Sequence, residues 1–360
     1  MATHGETLST ARSRVGWTGG IRDRPARLVV LGLVALAVAL VLGVGVGPVA
    51  IDPGQTLGII AHRFLGLDVP RTWSDATETI VIELRLPRVL TAMLVGSGLA
   101  VAGATFQGLL RNPLADPYVL GTASGAALGA AIAVLIPVRF VILEFGLLQG
   151  FAFVGALASI YAVYKLSRIG GLSPLTSLLL TGYAVGSLLA AGLAMAMYLS
   201  GAALRQIFTY LLGSFDAATW PRFLATLPII LIASLAIMLR ARSLNGLLLG
   251  EEAAVHLGVD VQRERRILLA LASLVTAAAV AISGLIGFVG LVVPHVVRLL
   301  VGPSARLVLP LSAIGGAALM AYADVAARVL GGIPVGVVTA VLGAPFFLLI
   351  LRRARTGYEL

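Results

Sequence analysis

The sequence contains no cysteine and only one lysine among its 360 residues. The absence of cysteine excludes disulfides, thiolate metal sites and thiol catalysis. The single lysine, Lys165, is followed by Leu166, which excludes a phosphate-binding loop of the form G-x-x-x-x-G-K-[ST]. The four histidines, at positions 4, 62, 256 and 295, lack the spacing of metal ligands. We therefore expect a protein that is not an enzyme, does not hydrolyse ATP itself, and binds no cofactor or metal of its own.

Charged residues of either sign are also scarce. They make up 12% of the chain, whereas 59% of the residues are hydrophobic and the mean hydropathy is +1.02. Because a soluble domain carries about 25% charged residues, this composition predicts an integral membrane protein in a lipid bilayer. In a membrane protein, a net charge of +10 is informative mainly about which side of the membrane each loop occupies. We therefore do not interpret it as a nucleic-acid binding surface, and we expect no nucleic-acid partner.

Ten hydrophobic runs are each long enough to cross the roughly 30 Å of a bilayer's hydrocarbon core. They lie at about 28–50, 89–109, 118–137, 145–165, 174–199, 223–241, 266–283, 285–301, 308–327 and 333–351. Small residues recur at helix-packing spacing within them, as at Gly125 and Gly129. We therefore predict an all-α, polytopic membrane protein with about ten transmembrane helices in a compact bundle.

The positive charges predict the orientation of this bundle. Placing the N-terminus in the cytoplasm puts 18 of the 26 Lys and Arg residues inside and eight outside, which favours both termini in the cytoplasm. Residues 1–27 are polar, and no cleavage-like site follows the first apolar run, so we interpret them as a disordered cytoplasmic tail rather than a signal peptide. The membrane domain is expected at 28–353, followed by a cytoplasmic tail at 354–360.

One polar segment in the second half of the chain, Leu249–Arg266, is longer than a connector needs to be. Connections between packed helices commonly take about 2 to 8 residues. Here two glutamates suit the first turn of a helix, Ala254 and Leu257 lie three residues apart on one face, Gly258 can end the helix, and Asp260 can cap the next one. The pattern indicates a docking helix for a soluble partner, or a helix lying on the lipid surface.

The predicted spans carry almost no ionisable residue near mid-bilayer. Asp324 and Arg328 lie toward the outer end of the ninth span, four residues apart, which is the spacing of an ion pair on one helix face. Asp116 and Arg111 lie in an inner loop. A self-contained secondary transporter usually needs buried carboxylates or broken-helix ion sites, so this alternative is weakened. A transport bundle without an ion pathway or an ATPase takes its energy from a partner, and the segment 249–266 is where that partner would act.

Three stretches carry a family resemblance. They are ELRLPRVLTAMLVGSGLAVAGATFQGLLRNPLADPYVLGTASGA (83–126), LLLGEEAAVHLGV (247–259), and ISGLIGFVGLVVPHVVRLLVG (282–302) with YADVAAR (322–328) and IPVGVVTAVLGAPFFLLILRR (333–353). Together they resemble the FecCD family, the permeases of iron–siderophore, haem and cobalamin ABC importers, over roughly residues 28–353.

The resemblance implies an importer of the bacterial plasma (inner) membrane. It would contain two permease chains, identical or homologous, two cytoplasmic ABC ATPase subunits that hold ATP and Mg²⁺, and an external substrate-binding protein. Transport would proceed by alternating access. The substrate that we expect is a ferric siderophore, with haem and cobalamin as alternatives within the same architecture.

The resemblance also assigns site residues. The residues expected to couple the chain to the ATPase are Glu251, Glu252, Ala254, Leu257 and Gly258. Those expected to dock the binding protein are Arg85, Arg88 and Arg328, since guanidinium groups pair with carboxylates, although arginines also snorkel at helix ends. A cytoplasmic gate is expected at Asn112, Leu114, Leu172 and Ser173, and a pathway lining at Ser177, Thr181, Ser187, Met195 and Met197.

Overall fold

Helices account for almost all of the regular structure. The computed structural model describes residues 25–47, 49–136, 141–142, 145–167 and 174–355. The helices are α1 (Pro25–Gly45), α2 (Pro53–Leu65), α3 (Asp75–Thr79), α4 (Leu86–Leu109), α5 (Thr122–Leu135), α6 (Leu147–Leu166), α7 (Pro174–Leu199), α8 (Leu204–Leu212), α9 (Trp220–Leu239), α10 (Ala241–Leu249), α11 (Glu251–His256), α12 (Val261–Ser283), α13 (Val289–Val301), α14 (Ala305–Val329) and α15 (Val335–Arg355). A π-helical turn (Ile80–Arg85) joins α3 to α4, and two short strands, β1 (Val141–Ile142) and β2 (Phe145–Gly146), pair antiparallel.

The predicted number of apolar helices is confirmed. Among the described residues, seven helices are long and apolar enough to cross a membrane: α1, the continuous helix Asp75–Leu109, α6, Ser177–Leu199 within α7, α9, α12 and α14. Three shorter apolar helices follow the remaining predicted runs, namely α5, α13 and Val335–Leu349 within α15. The all-α fold of about ten apolar helices is therefore confirmed, in the predicted order.

Within the described residues, helix α1 runs from Pro25 and helix α15 runs to Arg355. The domain boundaries at 28 and 353 stay predictions. The tail segments 1–24 and 356–360 lie outside the described residues.

Helix α4 lies at the centre of the bundle, and almost all of its residues are buried. Small residues let its backbone approach its neighbours closely: a Cβ on Gly96 would lie 2.2 Å from the carbonyl oxygen of Gly316 in α14. The predicted stripe in the third span acts in the same way, since a Cβ on Gly125 would lie 2.4 Å from the carbonyl oxygen of Gly155 in α6. Backbones that pack this closely fix the relative positions of the helices.

Replacing Gly96 by alanine is expected to destabilise the bundle. The new methyl group would overlap the Gly316 backbone, and overpacking of this kind typically costs about 1–3 kcal/mol. The matched control is Gly150→Ala in α6, where a Cβ would meet nothing within 4 Å. Thermal unfolding in detergent should show a lower apparent Tm for Gly96→Ala only. Equal Tm values for the two variants would contradict the close packing of α4 on α14.

The two ends of α4 define two sites. The helix runs from Leu86, two residues before Arg88, to Leu109, and its length is roughly 35 Å at 1.5 Å per residue. Arg111, just beyond the second end, donates from Nε to the carbonyl oxygen of Leu247, 2.9 Å away. We call the end of the bundle that carries Leu247 and the segment 249–266 the inner end, and the end that carries Arg88 the outer end.

Candidate functional site

The polar segment at the inner end forms the predicted helix, turn and second helix. Helix α11 is flanked by Gly250 (φ 121°) and Gly258 (φ 79°), and positive φ values of this kind favour glycine. The carboxylate of Asp260 then accepts a hydrogen bond from the backbone N–H of Arg263, 3.0 Å away, and caps α12. Both the stop at Gly258 and the cap at Asp260 are confirmed.

The two neighbouring glutamates of α11 have different surroundings. Glu251 forms an ion pair with Arg265 of α12, with an N–O distance of 2.5 Å. This hydrogen bond is the main reason that the pKa of Glu251 lies below its ordinary value. Glu252 is exposed and has no hydrogen bond or ion pair within the described residues. Glu251 therefore holds α11 against α12, whereas Glu252 faces outward.

Further polar contacts attach α10, which directly precedes this segment, to the bundle. Besides the bond from Arg111 to Leu247, the side-chain oxygen of Asn245 in α10 accepts a hydrogen bond from the backbone N–H of Ala305, 2.7 Å away, at the start of α14. Arg240, between α9 and α10, pairs with Glu264 of α12 at 2.8 Å. Helix α10 is thus attached to the ends of α4 and α14, and α11 is attached to α12 through Glu251 and Arg265.

The outward surface of α11 forms a small ridge, which we call the inner ridge; it consists of Glu252, Val255, His256 and Leu257. Val255 and Leu257 are 61% and 64% exposed, although both are apolar. Ala254 is fully buried and faces α10 instead. The sequence predicted that Ala254 and Leu257 share one face of the helix. The helix ends at His256, however, and Leu257 is exposed whereas Ala254 is buried. The sequence analysis did not identify Val255 as a contact residue, although an apolar residue within a polar segment could have indicated it.

At the outer end, Arg88 lies between two carboxylates. Its guanidinium pairs with Asp324 of α14 at 2.8 Å and with Asp216 of the α8–α9 loop at 2.5 Å. Asp324 also pairs with Arg328 at 3.1 Å, the predicted contact between residues four apart. The side chain of Asp324 is fully buried, and burying a carboxylate requires such pairing. We call these residues, together with Arg85, the outer ion cluster.

The three arginines expected to dock a partner are less accessible than the sequence suggested. Arg85 is buried and donates to the backbone carbonyl oxygens of Val44, Gly45 and Val49. The side chain of Arg328 is 7% exposed and donates to the carbonyl oxygens of Val46 and Gly43. The side chain of Arg88 is 18% exposed. Arg85 and Arg328 therefore hold the α1–α2 connection in place, and Arg88 is the most accessible of the three.

The inner loop after α4 contains part of the expected gate. The side chain of Asn112 is exposed, and its oxygen accepts a hydrogen bond from the backbone N–H of Leu114, 2.9 Å away. Burial raises the pKa of nearby Asp116 to about 6, although its carboxylate accepts a hydrogen bond from the backbone N–H of Tyr118. The other half of the expected gate, Leu172 and Ser173, lies outside the described residues.

Helix α7 is largely open to the surroundings of the chain. Of the five residues expected to line a pathway, Ser187 and Met195 are exposed, and Thr181 is half-buried. Ser177 is buried and donates to the carbonyl oxygen of Ser167 at 2.5 Å, and Met197 packs against the neighbouring helices α5 and α8. The most exposed large side chains of α7 were not singled out from the sequence; they are Tyr183, Leu188 and Tyr198.

An open cleft of about 750 Å³ lies at the outer end, beside the outer ion cluster. Residues from α5, α6, α8, the end of α12 and the α8–α9 loop line it. Its polar side chains include Gln149, Gln206, Thr209, Ser214 and Asp216. Asp216 therefore belongs both to the outer ion cluster and to the wall of this cleft.

Taken together, the bundle of apolar helices, the firmly held inner ridge and the outer ion cluster define a membrane transport permease. The chain belongs to the FecCD transport family, whose model matches residues 35–353. It is therefore a multi-pass permease of the inner (plasma) membrane and of the ABC importer class, which implies a partner permease, ATPase subunits and a binding protein.

Individual relatives agree with this assignment. The chain is 45% identical to the cobalamin import system permease protein BtuC of Halobacterium salinarum over 83% of this chain and 79% of the relative. It is 41% identical to the hemin transport system permease protein HmuU of Yersinia pestis over 83% and 92% of the two chains. A solved structure described as an inward-facing conformation of a metal-chelate type ABC transporter is 30% identical, with a TM-score of 0.77, over 92% of this chain and 99% of that one.

Proposed function

We propose that this chain moves a metal chelate across the membrane by alternating access, driven by ATP hydrolysis in two cytoplasmic ATPase subunits. The observation that carries this proposal is the inner ridge, an exposed apolar surface on a short helix that an ion pair holds against α12. The preceding helix, α10, is attached to the ends of α4 and α14. A surface of this kind suits a protein partner. ATP and Mg²⁺ then belong to the partner subunits, and this chain itself binds no cofactor and catalyses no reaction.

The orientation follows from the same proposal. The inner end lies in the cytoplasm, with both chain termini, and the outer end faces the binding protein. The excess of Lys and Arg that the sequence assigns to the inner side supports this orientation.

Each residue assigned to coupling then has a specific part. Leu257 and Glu252, with Val255, form the surface that contacts the ATPase. Ala254 is buried and anchors the helix, and Gly258 provides the turn that ends it. Glu251 positions the helix through Arg265 rather than contacting the partner.

At the outer end, Arg88 is the residue proposed to bind a carboxylate of the binding protein. Its side chain is partly exposed and already lies against an exposed carboxylate, that of Asp216. Arg85 and Arg328 support it indirectly, because both fix the α1–α2 connection through backbone carbonyl oxygens.

The open face of α7 is proposed to line the pathway opposite a second permease chain, which we take to be an identical copy. Its exposed side chains, among them Tyr183, Ser187 and Met195, are uncharged and adaptable. Such a surface suits a bulky ligand that must pass without being held tightly. Asn112 and Leu114, with Leu172 and Ser173, are proposed to close the inner end of this pathway.

A ferric siderophore is the substrate that we propose within this class. Haem and cobalamin are equally supported by the relatives, and all three are organic chelates of a metal ion. Growth of a cell that lacks its own chelate importers, supplied with this chain and its partner subunits, tests the choice. We expect a ferric siderophore to restore growth on limiting iron. Rescue by haem or cobalamin alone would reassign the substrate.

A further inference from the structure

The two carboxylates that contact Arg88 differ in accessibility. The side chain of Asp324 is fully buried, whereas that of Asp216 is 68% exposed. Breaking a buried pair leaves an uncompensated charge in the interior and is strongly unfavourable. An exposed pair contributes little and exchanges easily. Asp216 is therefore the partner that Arg88 can give up, while Asp324 keeps the guanidinium in position.

The loop that carries Asp216 holds the carboxylate ready for this contact. The hydroxyl of Ser214 donates a hydrogen bond to Oδ2 of Asp216, 2.6 Å away. The same hydroxyl oxygen accepts a hydrogen bond from the backbone N–H of Asp216, 3.0 Å away. Burial acts to raise the pKa of Asp216, but this hydroxyl and the charge of Arg88 outweigh it and hold the pKa below its ordinary value. Asp216 is thus ionised at neutral pH and oriented towards Arg88.

The same loop forms part of the wall of the outer cleft. Ser214, Asp216 and Ala217 all line the cleft, and the backbone N–H of Ser214 donates to the carbonyl oxygen of Ser283 at 2.8 Å. The contact between Asp216 and Arg88 joins residues 128 positions apart. It therefore connects the proposed docking surface to the wall of the cleft.

We propose that Asp216 is an internal placeholder on Arg88, which a carboxylate of the binding protein displaces when it docks. Displacement leaves Arg88 paired with Asp324 and frees the 213–217 loop from the outer ion cluster. Docking is thereby transmitted to the cleft wall through one exchange of carboxylates. This inference rests on the proposed role of Arg88 in docking.

The test compares Asp216→Asn with Glu83→Gln in the full permease–ATPase complex in nanodiscs. Glu83 is exposed, lies two residues before Arg85, and has no ion pair within the described part of the chain, so its variant controls for the general loss of negative charge. The probe is the binding protein that supports uptake by this complex. We expect Asp216→Asn to tighten its binding by up to about fivefold, the effect of removing an exposed competing ion pair, and Glu83→Gln to change it much less.

Hydrogen exchange of the backbone amides at 213–217 provides a second measurement. In the unmodified complex, exchange in this loop should increase when the binding protein is added. In Asp216→Asn and in Asp216→Ala, exchange should already be increased without the binding protein. Loss of the contact between Asp216 and Arg88 predicts both the increase on docking and the increase in the variants. A purely long-range electrostatic effect predicts neither increase.

Three outcomes would overturn the placeholder. The first is an equal gain in affinity for Asp216→Asn and Glu83→Gln, and the second is unchanged loop exchange on docking. In either case a strong loss of affinity in Arg88→Gln would leave the docking role of Arg88 intact. The third is unchanged affinity in Arg88→Gln, which would remove the docking role and the placeholder together.

Discussion

Replacing Arg88 by glutamine should weaken the binding protein's affinity for the permease–ATPase complex by about 30-fold or more. Docking would bury the pair between Arg88 and the carboxylate of the binding protein. Truncating one partner of a buried, hydrogen-bonded charge pair typically costs about 2–5 kcal/mol, and each 1.4 kcal/mol is about tenfold in affinity. Glutamine is preferable to a reversed charge, because an acidic side chain beside the fully buried Asp324 would disturb folding. Asp324 keeps its second partner, Arg328, in this variant.

The measurement is equilibrium binding in nanodiscs at several salt concentrations. Salt should weaken binding to the unmodified complex more steeply than binding to Arg88→Gln, because the variant lacks one charge pair. Arg63→Gln is the matched control, since Arg63 is an exposed arginine of α2 with no ion pair in the described chain. If both variants bind equally well, Arg88 does not dock the partner.

A two-glycine insertion between Gly258 and Val259 should abolish uptake while ATP hydrolysis continues. The insertion removes the hydrogen bond from the backbone N–H of Val259 to the carbonyl oxygen of Ala254, now 2.9 Å long. It also separates the inner ridge from α12, whose start is fixed by the Asp260 cap. The ATPase subunits would then close on ATP without moving the helices. Uptake and phosphate release, measured in the same proteoliposomes, report the two activities separately.

The two glutamates of α11 give a finer version of this test. Glu251→Gln should lower the number of chelates moved per ATP, because it loosens the contact between α11 and α12. Glu252→Gln removes a carboxylate of the surface proposed to contact the ATPase and should leave the contact between α11 and α12 intact, so its effect should appear as weaker binding of the ATPase subunits. The control for the two-glycine insertion at Gly258 is a two-glycine insertion between Asp68 and Val69, in an exposed outer loop. It should leave uptake unchanged. Full uptake with the inner insertion would exclude coupling through this segment.

The sequence predicted those features that depend on local pattern. The ten apolar helices follow from uninterrupted hydrophobic runs, because a bilayer requires a span of a certain length. The helix at 251–256 and its flanking signals follow from residues that act on their immediate neighbours, such as Asp260 on the N–H of Arg263. The pairing of Asp324 with Arg328 is likewise a contact within one helical turn.

Contacts between distant parts of the chain were not predictable in this way. The carbonyl oxygens that Arg85 contacts lie 36 to 41 residues earlier, and nothing local distinguishes a buried arginine from one that faces a partner. Nothing in the sequence around Asp216 indicated its contact with Arg88, because this contact depends on how the α8–α9 loop packs beside α4. The face of α11 was assigned incorrectly at Leu257, since the sequence does not fix the last residue of a short helix.

Site-directed cross-linking tests the central role of the inner ridge most directly. The chain has no cysteine, so Leu257→Cys and Val255→Cys each introduce a single reactive thiol on the ridge, and Arg63→Cys introduces one at the outer end. In the assembled complex with ATPase subunits, a short bifunctional reagent should join both ridge cysteines, but not the outer one, to the ATPase. Ridge cysteines that form no cross-link and stay as accessible to a water-soluble maleimide as in the isolated chain would contradict the account.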